Sequence, residues 1–319
     1  RRVIEQAGQD HADLFLIAGD LFHRQPLARE LKEINAMFSA IPDTRILLIA
    51  GNHDYLRKDS LYQRFPWGPN VHGLWSQEIT HVDFPELGVR VTGCSYKNRE
   101  ITAPLYDRLK KSGEMPVEIL LAHGGDEKHI PISRDRLAAS GFDYIALGHI
   151  HKLQALLRDR MIYAGSLEPT EKNDTGAHGF VKGEIRNGKV RTAFVPWAAR
   201  AYKELEIPVT RETTQYTLRQ RISGLLEENG KEHIYTLILQ GERDPETEFQ
   251  LSQLYSLGNI REVEDKSRPA WSLEELCRKY RGSLLEEYIR SFGDDPGEEE
   301  KKALDYGIRA LLETGEEIL

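Results

Sequence analysis

Four short apolar runs, each ending in polar residues able to bind a metal, constrain this chain more than anything else in it. LFLIAG leads into Asp20, ILLIAG into Asn52-His53-Asp54, EILLA into His123-Gly124-Gly125, and YIALG into His149-Ile150-His151. The runs at 14–18, 46–50, 119–122 and 144–147 are apolar throughout, the pattern of strands buried on both faces of a sheet. Between the first two lies a helix opening near Pro26, with Leu27, Leu31, Ile34, Phe38 and Ile41 at the 3.6-residue period. A second helix is expected over 133–140, with Gly141 placed to end it. Val89 and Val91 alternate with polar residues, which predicts a strand with one solvated face, and Asn187-Gly188 predicts a hairpin. Together these make an α/β sandwich of layered sheets flanked by helices.

The pattern changes after Trp197. The segments 203–209, 214–228, 234–239, 246–256 and 260–265 read as strand, helix, strand, helix, strand, with Gly230 and Gly258 where the helices should stop. Pro269 opens a helical tail. Ser272 and Glu275 have capping-box spacing ahead of a helix over 272–292, and Asp295-Pro296 starts another reaching 314. The expected domains are therefore 1–200, 201–268 and 269–319.

Charge is unevenly placed. Residues 261–319 hold ten Lys/Arg against sixteen Asp/Glu, out of a net charge of −8, so the first 260 residues are almost neutral. Bulk charge thus lends no support to a nucleic-acid footprint. Any contact with a polyanion must be local, metal-bridged or shared with a partner. No apolar stretch approaches the length of a membrane span. Cys94 and Cys277 are too isolated for a disulfide framework, which points to the cytoplasm.

Loops at the carboxyl ends of strands in an open α/β sheet converge on one crevice. The four runs would therefore aim carboxylate, amide and imidazole groups at one place. Asp and Asn oxygens mixed with neutral imidazole suit Mn²⁺, Fe²⁺ or Zn²⁺ better than Ca²⁺ or Mg²⁺. Asp20 can bridge two ions, and such a pair activates a water and clamps a phosphoryl oxygen. His53 is placed to protonate a leaving alkoxide, with Asp54 beside it to orient the ring. Each piece has a plainer reading. Gly-Asp after a strand is commonly a turn, Gly-Asn-His-Asp an Asx turn, and His123 a satisfied core histidine. The pair His149 and His151 makes sense as ligands if the strand ends and the chain turns at Gly148. The force of the pattern lies in four such pieces in order.

In that order, GD…GNHD…HGG…GHIH resembles the calcineurin-like metallophosphoesterase superfamily. GDLFHRQPLA and the small domain after the core resemble the SbcD-type DNA-repair nucleases, and YAGSLEPTEKNDTGAHGF is most similar to the YhaO branch. The resemblance covers about residues 1–265. It implies a four-layer β-sandwich flanked by helices, a small α/β capping domain and a helical C-terminal tail. It also implies two divalent metal ions, with Mn²⁺ the expected pair. Asp20 would bridge them, Asn52, His123 and His149 would complete one, and His151 would serve the other. His53 matches the position that protonates the leaving group, and His23 a position that nuclease members use near the substrate strand.

The superfamily also opens with Asp-x-His on a first strand, a motif absent here. The resemblance therefore implies a strand upstream of Arg1 that supplies two further ligands. Without that strand, one metal site is expected to be empty or badly formed. The implied partners are DNA, a coiled-coil P-loop ATPase of SbcC type docking on the tail helices, and a second copy pairing through the helix at 26–40. Lys203, Arg211, Arg219 and Arg221 could touch phosphates or simply face solvent.

The expected activity is metal-dependent hydrolysis of DNA phosphodiester bonds, as exonuclease or endonuclease. Its rivals are a phosphatase or phosphodiesterase of small nucleotides and a non-catalytic scaffold that binds DNA or an ATPase.

Overall fold

Each of the four apolar runs forms a strand, and alternation along the strands explains why no position in them is polar. The computed structural model describes residues 1–172, 174, 176–293 and 296–314. They fall into two units, Arg1–Ala201 and Tyr202–Leu319.

In the first unit the order is α1 (Arg2–Gln9), β1 (Leu14–Ala18), α2 (Ala28–Ser39), β2 (Arg45–Ile49), the one-turn α3 (Leu61–Arg64) and β3 (Val71–Gly73). There follow β4 (Thr80–Phe84), β5 (Val89–Gly93), β6 (Val117–His123), α4 (Arg134–Ala138), β7 (Tyr144–Gly148), β8 (Gln154–Leu157) and β9 (Met161–Tyr163). Strands β1, β2 and β3 make a parallel sheet in that order. The second sheet runs β4-β5-β6-β7-β9-β8, parallel inside with antiparallel β4 and β8 at its edges.

The two sheets pack face to face. Leu47 and Ile49 of β2 meet Val91, Ile119 and Leu121 of the second sheet. The alternate residues Ile46 and Leu48 face outward onto Leu31 and Phe38 of α2 and Val3 and Ile4 of α1. On the far side, Leu120, Ala122, Ile145 and Leu147 pack with Tyr106, Phe142 and Leu137 of α4. Helix, sheet, sheet and helix give four layers, and a strand covered on both faces has no position for a polar side chain.

A hairpin of β10 (Gly179–Arg186) and β11 (Lys189–Pro196) follows. Its turn holds Asn187 and Gly188 at φ 51° and 70°, the double left-handed geometry that Asn-Gly accommodates.

The expectation of one solvated face on β5 is corrected. β5 lies between β4 and β6, and Arg90 is buried there with its guanidinium on Asp83 (2.7 and 2.8 Å) and Glu114 (2.6 Å). The alternation reflects a neutralised buried cation, not solvent.

In the second unit β12 (Tyr202–Val209), α5 (Gln215–Asn229), β13 (Ile234–Arg243) and β14 (Ile260–Asp265) form a parallel sheet with one helix. β15 (Arg268–Pro269) extends the end of β13. Thr214 caps α5 by accepting from Thr217 N, and Gly230 ends it at φ 101°. The helix expected over 246–256 is only a 3-10 segment, Leu251–Leu257. Asp244 starts a turn instead, accepting from Glu246 N through its side chain and Thr247 N through its carbonyl. Gln250 N is then spent on the Gln215 side chain.

The helix expected over 272–292 is divided into α6 (Leu273–Lys279) and α7 (Leu284–Arg290), because Gly282 turns the chain at φ 81°. Ser272 accepts from Glu275 N as its spacing predicts. The last helix is α8 (Glu298–Glu313); its expected start at Asp295 lies outside the described residues. Leu285, Ile289, Leu304 and Ile308 form a core of their own. Of the four candidate phosphate contacts, Lys203, Arg219 and Arg221 donate to carbonyls of Asn229, Gln253 and Pro208. Among the described residues no helix is long and apolar enough to cross a membrane.

The Arg90 cluster gives a test with a definite pH signature. Its hydrogen bond from Arg90 holds the Asp83 carboxyl below the usual carboxylate range. The stabilisation is therefore complete above the unfolded pKa and lost as pH falls through the lower folded one. Arg90→Met should lower the urea midpoint at neutral pH, and its gap from the parent should narrow below about pH 4. A gap independent of pH would mean the cation contributes by packing alone.

Candidate metal centre

The four strand ends bring their polar residues together because glycine lets the backbones approach. A Cβ on Gly51 would strike the Asp20 carboxylate, and one on Gly148 would strike the Ala18 carbonyl. The GN and GH turns are therefore as close to the Asp20 turn as backbone can come. Asp20 itself sits at φ 51°, and its Oδ1 accepts from His53 N at 2.9 Å, tying the first turn to the second. β7 ends at Gly148, and His149 turns the chain at φ 95°. That conformation costs a residue with a side chain about 1–3 kcal/mol, and it takes His149 off the strand to where its Nδ1 lies 3.1 Å from Asn52 Oδ1.

His123 is fully buried at the end of β6. Its Nδ1 lies 2.8 Å from the Ala18 carbonyl, which can only accept, so Nδ1 carries the proton. In the neutral ring Nε2 is then a bare lone pair, yet it faces Asn52 Oδ1 at 2.8 Å and Asp20 Oδ2 at 3.3 Å. His149 repeats the arrangement. Its Nε2 donates to Asp126 Oδ2 (2.7 Å), leaving Nδ1 against the same Asn52 Oδ1 at 3.1 Å. Burial holds His149 below its ordinary pKa, against the opposing pull of Asp126. Lone pairs of two imidazoles, an amide oxygen and a carboxylate thus converge with no proton to share. Asp20, His123 and His149 present ligand atoms within 4.8 Å of one another. A divalent cation satisfies this donor set, and each imidazole spends its outer N–H on an acceptor, as metal-bound histidines do.

An open cleft beside this cluster is lined by Asp20, His53, His149, Ile150, His151, Lys152 and Asp174. His151 lines this cleft with Asp20, and its Nδ1 lies 3.2 Å from Asp174 Oδ2. His53 is half-buried and stacks on exposed His23, ring centroids 4.2 Å apart. Burial lowers the His53 pKa, Asp20 opposes that, and the charges of His23 and Arg99 add to the lowering. Burial works to raise the Asp20 carboxyl, and the hydrogen bond from the His53 N–H works against it.

The expected role of Asp54 is corrected. Its side chain is fully buried and its oxygens are engaged away from His53: Oδ1 by Gly51 N (2.7 Å), Oδ2 by Tyr62 OH (2.6 Å) and Phe22 N (3.3 Å). Asp54 shapes the loop that carries Asn52 and His53. Tyr62 in turn stacks on Trp75, centroids 5.1 Å apart. Sequence reasoning also missed Asp126, His129 and Asp174. The signal was present in HGGDEKH and EKNDTGAH, where carboxylates stand close in sequence to candidate ligands.

Comparison with known proteins agrees with this geometry. Residues 1–153 match the calcineurin-like phosphoesterase family. The chain is 29% identical over 260 residues to the uncharacterized metallophosphoesterase YhaO of Bacillus subtilis, covering 76% of this chain and 63% of that protein. It is 26% identical over 176 residues to the DNA double-strand break repair protein Mre11 of Methanocaldococcus jannaschii, covering 51% of this chain and 47% of that protein. The chain thus spans less than two thirds of the length of either relative.

Tyr62→Phe removes the only side-chain donor to buried Asp54 among the described residues. It should cost about 1–3 kcal/mol in urea unfolding. A loss below a few tenths would mean the Asp54 carboxylate is held by the backbone alone.

Proposed function

We propose that this protein is a metal-dependent hydrolase that cleaves DNA phosphodiester bonds with two divalent ions, Mn²⁺ by preference; the match of residues 1–153 to the calcineurin-like phosphoesterase family supports this. The observation that carries the reading is the convergence of His123 Nε2 and His149 Nδ1 on Asn52 Oδ1, with Asp20 beside them at an open cleft. Asn52, His123 and His149 would hold one ion, His151 would contribute to the other, and Asp20 would serve both. When bound, the pair supplies an activated water and neutralises charge on the phosphoryl oxygens.

The chain's own groups do the rest. His53 lines the cleft and delivers a proton to the departing oxygen. His23, stacked on His53, fixes that ring's plane and is itself exposed toward an incoming strand. The choice of DNA rests on the likeness to a DNA break-repair protein. On this reading the unit Tyr202–Leu319 supplies a capping domain and a docking segment for a P-loop ATPase, where Leu284 and Tyr306 stand 60% and 73% exposed.

The near-neutral charge of residues 1–260 favours a second reading, a phosphodiesterase of small nucleotides. Purified protein with Mn²⁺ separates the two. DNA should exceed small cyclic and linear nucleotides in kcat/KM, chelation should abolish turnover, and added Mn²⁺ should restore it. His53→Ala should lower kcat about 10²–10⁴-fold. An unchanged rate removes His53 as the proton donor, and a preference for small nucleotides replaces DNA as the substrate.

A further inference from the structure

The two histidines of GHIH are each met by a carboxylate from a different loop, and at different ring nitrogens. Asp126, in the loop after β6, accepts from His149 Nε2 at 2.7 Å. Asp174, in the loop after β9, accepts from His151 Nδ1 at 3.2 Å. We propose that Asp126 and Asp174 are positioning residues that lock His149 and His151 in opposite tautomers, Nε2–H on the first and Nδ1–H on the second, so that each turns a lone pair into the cleft.

The reason lies in the turn. On a regular strand residues two apart would present their rings alike, but His149 leaves the strand at φ 95°, and the two rings meet their carboxylates through different nitrogens. In a neutral imidazole one nitrogen is a donor and the other a lone pair, and the partner of the outer nitrogen decides which.

Both carboxylates are themselves fixed by their loops. Asp126 Oδ1 accepts from Lys128 N (2.8 Å) and His129 N (2.9 Å), and His129 Nδ1 lies 2.8 Å from Oδ2. Asp174 Oδ2 accepts from Thr170 N (2.9 Å), Thr170 Oγ1 (2.7 Å) and Glu171 N (3.2 Å). Because the Thr170 hydroxyl donates to Asp174, its oxygen is left to accept from His151 Nδ1 at 3.1 Å, which agrees with the proton on that atom.

Asp126, His129 and His149 also lie close enough to hold a cation among themselves. An ion there would take His149 Nε2 while Nδ1 faced the Asn52 side. Serving both sites would require an imidazolate, which neutral solution disfavours. A hydrogen-bonded relay accounts for the same distances with a neutral ring.

The tautomers themselves stand apart from the metal assignment; only their consequence for metal affinity rests on the reading above. Long-range ¹H–¹⁵N spectra of the full chain, stripped of metal and held at about pH 8 where histidine is neutral, read the tautomer of each ring directly. His149→Gln and His151→Gln assign the two signals. The expected result is Nε2–H for His149 and Nδ1–H for His151, the less common form of a free imidazole.

Asp174→Ala should release His151 toward the Nε2–H form, and Asp174→Asn, whose amide oxygen still accepts, should hold it. Asp126→Ala should let His149 become a mixture. By calorimetry, both alanine variants should bind Mn²⁺ about 10–100-fold more weakly, with thermal unfolding of the metal-free protein little changed. His129→Ala should keep the parent stoichiometry. Like tautomers in the parent, or tautomers indifferent to the alanine substitutions, would overturn the proposal, as would loss of one ion in His129→Ala. If the tautomers come out opposite while the parent binds no Mn²⁺, the positioning holds and the metal reading fails.

Discussion

The contact on which the rest depends is the bond from His123 Nδ1 to the Ala18 carbonyl, because it joins the ends of two different sheets. β6 and β1 share no ladder, and packing alone would let their ends slide by a fraction of an ångström. A directional bond at 2.8 Å from a fully buried ring removes that freedom. It also decides the chemistry of the ring, since the proton that holds the sheets together cannot occupy the nitrogen facing Asp20. Sandwich geometry and ligand readiness are thus one fact seen from two ends.

Close approach has a cost, and it is placed where it serves the site. His149 adopts a left-handed conformation that a side chain resists, and Gly148 lies against the Ala18 carbonyl where no larger residue fits. Hydrogen bonds compensate: Asp54 gathers the GNHD loop from inside, Asp20 links it to the first turn, and Asp126 steadies the His149 ring after the fourth. The buried carboxylate of Asp54 is tolerated because both its oxygens have donors.

The layered core and the convergence of Asp20, Asn52, His53, His123, His149 and His151 were legible because both rest on local pattern. An apolar run ending at a polar turn declares a strand and its carboxyl end together. What escaped was whatever depends on a partner remote in sequence. Arg90 looked solvated until Asp83 and Glu114 were seen to neutralise it. Asp54 looked like a neighbour of His53 until its bonds to Tyr62 and Phe22 turned it inward. Asp174 approaches His151 from 23 residues away. The helix expected near 246–256 failed for a related reason, because the side chain of Gln215, 35 residues distant, claims the backbone at Gln250.

The aromatic stack beneath the GNHD loop gives the protein a built-in optical reporter. Tyr62 bonds to Asp54 through its hydroxyl and lies flat on Trp75 through its ring, so loop and indole share one rigid link. Any loosening of the loop changes how Trp75 is shielded and quenched. Its fluorescence therefore follows the order of the turn that carries Asn52 and His53, with no label attached.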